Sequence, residues 1–147
     1  MYAPPTEELE ALLSTDGPFS FYESVAKRQA CCHVRKVIPL KRVLGTAEVW
    51  VTGLRREHSA NRGHVALFEY DEVNNLYKVN PLAEWTQEQV EAYINTQGLP
   101  INPLHAKGFP SIGCQPCTRA VAEGADPRSG RWWWEDAAHN ECGLHKR

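Results

Sequence analysis

The sequence predicts an α/β protein, and three observations carry that class. Leu9, Leu12 and Leu13 recur at helical spacing, Val49-Trp50-Val51 forms a short apolar run of β-favouring residues, and Thr86 with Gln89 writes a helix-capping box. At the N-terminus, Thr6 is placed to cap a short helix whose first turn holds Glu7 and Glu8, acids that favour the positive end of the helix dipole. A second helix is expected from about Phe21 toward the vicinal pair Cys31-Cys32. Pro39 suits the first turn of a third, bearing Leu40, Val43 and Leu44, and Gly45 suits its end.

The period then changes. Ala47 to Thr52 reads as a fully buried strand ending at Gly53 and delivering Leu54-Arg55-Arg56. Val65 to Tyr70 and Leu76 to Val79 flank the turn-like Asp71-Glu72-Val73-Asn74-Asn75, which predicts a hairpin. The helix opened by Thr86 has Trp85 and Val90 in position to staple its start and Gly98 to stop it. Beyond Pro100, glycine, proline, polar residues and cysteine predict irregular structure ordered by what it binds. One buried strand is too few for a parallel sheet, which needs several strands joined by crossovers, so the chain reads as the second half of a larger fold.

At 147 residues and 42% hydrophobic composition the chain suits one domain with a modest core. No apolar run is long enough to cross a bilayer, which argues against a membrane protein. A net charge of -2 argues against nucleic acid as a partner, because phosphate binding leaves a basic excess. Anion recognition must then fall to local basic groups: Arg35-Lys36, Lys41-Arg42, Arg55-Arg56 with Arg62, and Arg128 with Arg131.

Five cysteines, no secretory signal and an odd thiol count favour reduced thiols in a cytoplasmic protein over a disulfide framework. Cys31-Cys32 and Cys114-Gln115-Pro116-Cys117 together offer four thiolates, which suit zinc or an iron–sulfur cluster. Neighbouring cysteines point apart and favour a cluster with separated iron corners. The zinc alternative uses Cys114, Cys117, Cys142 and His145 and leaves the vicinal pair unexplained. A thioredoxin-like reading of the C-x-x-C is weaker, because no early strand leads into it. Trp132, Trp133 and Trp134 cannot all face one way, so part of this run packs as core. The histidines at 33, 58, 64, 105 and 139 have no metal-binding spacing among themselves.

Six ordered segments together resemble one family. Cys31-Cys32-His33-Val34-Arg35-Lys36, Gly53-Leu54-Arg55-Arg56, Asn102-Pro103-Leu104-His105, Ser111-Ile112-Gly113-Cys114-Gln115-Pro116-Cys117-Thr118, Gly130-Arg131-Trp132-Trp133-Trp134-Glu135 and Glu141-Cys142-Gly143-Leu144-His145 are similar to segments of the bacterial assimilatory adenylylsulfate reductases, within the phosphoadenylylsulfate reductase family. The resemblance covers nearly the whole chain and only the C-terminal portion of the family's protein. It implies a partial adenine nucleotide alpha hydrolase-like fold lacking its N-terminal strands and phosphate loop, since no S-G-G-x-D-S segment occurs, with an irregular cysteine-bearing C-terminal segment. Residues 1–147 are then the C-terminal part of a single reductase domain, and residues 119–147 a mobile tail carrying the nucleophile.

By the same resemblance, Cys31, Cys32, Cys114 and Cys117 bind a 4Fe-4S cluster and Cys142 is the catalytic nucleophile. Lys36, Arg128 and Arg131 contact the sulfate or phosphate, with Arg55, Arg56 and Arg62 as further substrate-binding candidates. The implied activity is thiol-dependent reduction of adenosine 5′-phosphosulfate to sulfite and AMP through an S-sulfocysteine, in sulfate assimilation. Thioredoxin or a glutaredoxin-like dithiol is the implied reductant. The alternatives are an inactive 4Fe-4S- or zinc-binding fragment and a reductase acting on 3′-phosphoadenylylsulfate. A homo-oligomer is compatible with each.

Overall fold

The structure is a computed structural model that describes residues 2–58 and 63–136. Helix α1 runs Thr6–Asp16, with Glu7 and Glu8 in its first turn. Its cap differs from the sequence expectation: Pro5 is the N-cap and Thr6 the first helical residue. The Pro5 carbonyl accepts from Leu9 N–H at 3.1 Å, so the backbone is already helical where Thr6 would have to be extended to cap it.

The second helix also starts later than expected. Phe21 is buried in a separate 3₁₀ turn, Ser20–Tyr22, and α2 spans Val25–Cys32 behind Ser24, whose hydroxyl accepts from Lys27 N–H at 3.2 Å. Lys27 in turn holds Glu23 at 2.7 Å and Asp16 at 3.2 Å, and those bonds, Glu23 first, keep its ammonium above the usual lysine range. The run then continues without a break through a π-helical segment, His33–Val37, into α3, Ile38–Leu44. Ile38 N–H reaches back to His33 O across the wide turn. Pro39, at the start of α3 as expected, has no N–H to give to the Arg35 carbonyl, and a wider turn just upstream accommodates that missing donor. Gly45 ends α3.

Strands β1 (Val49–Val51), β2 (Phe68–Asp71) and β3 (Leu76–Val79) pair in the order β1-β3-β2. The hairpin β2–β3 is antiparallel, with Asn75 in the left-handed region (φ 53°) and the Asp71 carboxylate bonded to Asn74 N–H at 3.0 Å in the turn. Beside β3, Tyr77 N–H donates to Glu48 O and Thr52 N–H to Val79 O, the ascending register of a parallel pair. The expectation of a fully buried β1 fails: Val49 is 50% and Val51 64% exposed. Among the described residues it lies at the edge of the sheet with β3 as its neighbour, so β propensity put it in the sheet without putting it in a core. β2 begins three residues later than Val65, which is buried instead with Leu54 and Ala83.

Helix α4 runs Gln87–Gln97 as the sequence requires. Gln89 N–H donates to Thr86 Oγ1 at 3.2 Å and Thr86 N–H to Gln89 Oε1 at 2.9 Å, while Gly98 closes the helix at φ 60°. Trp85 rests edge-on against Tyr93, with centroids 5.5 Å apart. The later segment holds 3₁₀ turns at His105–Lys107 and Gln115–Cys117 and a bridge between Thr118 and Arg131. No described helix is long and apolar enough to cross a membrane.

The described chain falls into two compact units, residues 2–50 with 70–77, and residues 51–58, 63–69 and 78–136. Within the second, the fully buried Asn80 joins several segments. Its amide donates to Ala66 O at 2.7 Å and to Glu69 Oε1 at 3.4 Å, and its oxygen accepts from Thr52 Oγ1, which itself accepts from Leu54 N–H. Glu69 also pairs with the buried Lys78 at 3.0 Å. Asn80→Ala leaves several of these buried groups without their partner and is expected to cost about 3 kcal/mol. Thr86→Ala loses one exposed cap and costs about 1 kcal/mol. Urea midpoints at unchanged slope measure both, and equal effects would refute the ranking.

Candidate functional site

Cys31 and Cys32 close α2 just before the π-helical segment, Cys31 half-buried and Cys32 at 6% exposure. One helical step separates them by about 100° around the axis, so successive side chains diverge as two corners of one ligand body require. Lys36 follows on the π-helical segment, half-buried, and pairs with no carboxylate among the described residues.

The second pair lies in the second unit. Cys114 caps the 3₁₀ turn Gln115–Cys117, accepting from Cys117 N–H at 2.9 Å through its carbonyl, and Pro116 fixes the turn between them. Thr118 pins this loop from inside. Its hydroxyl donates to Cys114 O at 2.9 Å and accepts from Gly113 N–H at 3.1 Å. The bridge from Thr118 to Arg131 and the bond from Trp132 N–H to Cys117 O at 3.2 Å tie the loop to the segment that follows Gly130.

Arg131 completes the clasp. It is 6% exposed, and its Nη1 donates to Ile112 O at 3.2 Å and Ser111 Oγ at 3.4 Å, with its guanidinium 4.6 Å from the Trp132 ring centroid. A Cβ on Gly113 would lie 2.2 Å from Arg131 Nη2, so the glycine is what lets the guanidinium lie flat on the loop. Trp132 is 1% exposed at a left-handed φ of 46°, an uncommon conformation for a bulky residue and one held in place by packing. Trp133 and Trp134 meet edge-to-face at 4.9 Å, and Arg119 covers Trp133, so the run divides as a three-tryptophan sequence must.

Arg55 and Arg56 follow the end of β1. Arg55 is 7% exposed and donates to His58, Gln87 and the Trp85 carbonyl; Arg56 donates to Val65 O at 2.8 Å and Glu84 at 3.1 Å. Arg128 is half-buried, its N–H bonded to Asp126 Oδ1 at 2.6 Å. Arg62, Cys142 and His145 lie outside the described residues. The contributions of Thr118, Glu57 and Gln87 went unread in the sequence, because a lone polar side chain carries no spacing signal until the fold brings a partner to it.

Cysteine sulfur, at positions 31, 32, 114 and 117, is the donor chemistry an iron–sulfur cluster takes. Among the described residues no group of three or more His, Cys, Asp or Glu side chains is gathered for a metal ion, so thiols are supplied two at a time.

Residues 1–120 match the phosphoadenosine phosphosulfate reductase domain. The chain belongs to that family. It is 53% identical to the adenosine 5′-phosphosulfate reductase of Rhizobium tropici, over 98% of this chain and 80% of that protein. It is 50% identical to that of Agrobacterium fabrum, over 98% of this chain and 55% of that protein. The crystal structure of phosphoadenylyl-sulfate reductase from Candida auris, a phosphate complex, superposes with a TM-score of 0.59 at 27% identity, over 76% of this chain and 51% of that one. Thus the chain spans little more than half of several members, and the α/β class and partial nucleotide-hydrolase-like architecture expected from the sequence hold.

Two glycine substitutions test the clasp. Gly130→Ala would set a Cβ 2.3 Å from Arg119 O, a backbone atom within a bridge, whereas Gly113→Ala meets the movable end of Arg131. The first is expected to destabilise by about 2–3 kcal/mol and the second by about 1 kcal/mol. Protection of Arg119 N–H, which donates to Gly130 O at 2.9 Å, should fall in the first and persist in the second.

Proposed function

We propose that the protein carrying this chain reduces adenosine 5′-phosphosulfate to sulfite and AMP, as an oxidoreductase of sulfate assimilation in the cytoplasm. The reading rests above all on identity of about half the residues, over nearly the whole chain, with proteins named for that reaction. The vicinal Cys31-Cys32 pair and the Cys114–Cys117 loop support it as the ligand set for a 4Fe-4S cluster. When bound, the cluster supplies electrostatic and structural support at the substrate rather than electrons.

Every chemical step then belongs to side chains of this protein. The Cys142 thiolate attacks the sulfur of the substrate, forming an S–S bond as the S–O bond to AMP breaks and the electron pair leaves on AMP. The attack brings two anions together, so Lys36, Arg128 and Arg131 offset the charge that grows on the sulfuryl and phosphate oxygens. Arg56 and Arg62 extend this positive field. A thioredoxin or glutaredoxin-like dithiol next attacks the S-sulfocysteine, sulfite departs with the bonding pair, and the dithiol ends as a disulfide after supplying two electrons. Residues 119–147 carry Cys142 between substrate and reductant, with the clasp around Arg131 as their anchor.

Incubation with adenosine 5′-phosphosulfate should add a sulfonate group to Cys142 in intact and peptide mass spectra, and a reduced dithiol should remove it as sulfite. Cys142→Ser should abolish the adduct while leaving iron and labile sulfide unchanged. Cys114→Ser should remove both iron and sulfide. An adduct on Cys114 or Cys117, or stoichiometric zinc without sulfide, would overturn the assignment. Preference for the 3′-phosphorylated nucleotide in the same assay would replace the substrate.

A further inference from the structure

We infer that Arg55 is a positioning residue, which locks the turn after β1 onto the start of α4, and not an anion contact. The sequence offers it as one half of an Arg-Arg pair beside a sheet end, where an α/β protein places its ligand. The geometry directs its donors inward. Arg55 Nε–H donates to His58 Nε2 at 3.0 Å, Nη2 to Gln87 Oε1 at 2.5 Å, and Nη1 faces both Trp85 O and Glu57 Oε2 at 3.5 Å. The bond to Nε2 requires neutral His58 with its proton on Nδ1. The side chain is 8% exposed, so a dissolved anion would have to displace protein acceptors to reach it.

Glu57 supplies the second half of the argument. Its Oε2 accepts from Gln87 N–H at 2.5 Å, and Gln87 is the first residue of α4, whose N–H has no partner within the helix. The carboxylate thus occupies the positive end of α4, a place an incoming anion would otherwise find attractive. Arg55 neutralises and aims that carboxylate while gripping Trp85 and Gln87 on either side of the cap residue Thr86. The guanidinium fork therefore fixes the 3₁₀ turn Arg56–His58 to a helix about thirty residues later in the chain. On the reading proposed above, that turn borders the substrate site, and the role of Arg55 there is indirect.

The test is NMR of the full chain with labelled arginine side chains and backbone amides. Arg55 Nε–H should give a slowly exchanging resonance that is unmoved by inorganic sulfate. It should be lost in His58→Phe and restored in His58→Gln, which keeps an acceptor. Glu57→Gln and Arg55→Lys should each lower the exchange protection of Gln87 N–H by about tenfold, whereas Lys should substitute well for a simple anion contact. A saturable shift of Arg55 Nε–H with sulfate, strengthened by Glu57→Gln, would overturn the inference. None of these readouts uses the reaction, so failure of the Cys142 adduct and failure of this inference are separately visible.

Discussion

The buried amide of Asn80 is the constraint on which the second unit depends. A residue at 0% exposure cannot leave a donor or acceptor unmade without a penalty of about 1–3 kcal/mol per group, so its position is set by its partners. Those partners come from the end of β1, from the approach to β2 and from β2 itself. With Thr52 held, Leu54 N–H is held, and the next residues, Arg55 and Arg56, leave the sheet in a fixed direction. Among the described residues, the start of the loop after β1 is aimed by this polar node together with the small apolar cluster of Leu54, Val65 and Ala83.

The elements whose causes are local were legible in the sequence. The capping box at Thr86, Gly98 at the end of α4, Pro39 at the start of α3 and the hairpin over residues 68–79 each follow from backbone chemistry within a few positions. What failed depended on context. Val49-Trp50-Val51 satisfies the composition of a buried strand, yet its burial depends on neighbours that composition cannot specify. Thr6 is a good cap that lost its place because the chain entered the helix at Pro5. The candidate site divides in the same way: C-x-x-C and the vicinal cysteines announce themselves by spacing, whereas Thr118 is recognisable as the support of the C-x-x-C loop only once its hydroxyl is seen between Gly113 and Cys114.

The cations divide by chemistry as well as by place. Guanidinium groups suit carbonyl and carboxylate acceptors because their fork satisfies several at once, and Arg55, Arg56 and Arg131 are all used so. Lys36 is different, a compact charge that no described carboxylate neutralises, on a widened helical turn directly after two cysteines. An ammonium is a point charge on a flexible stem, so it is not committed to one planar set of acceptors as a guanidinium is. The three arginines instead hold the loops whose carbonyl groups they bind.

The clasp around Arg131 also shows how a buried cation and a glycine hold an irregular loop in place. Arg131, held over Gly113, and Trp132, strained at φ 46° and nearly inaccessible, fix the chain eleven and ten residues before Cys142. The same bonds that hold the Cys114–Cys117 loop therefore also fix the described chain through Trp132, so the two segments are ordered together.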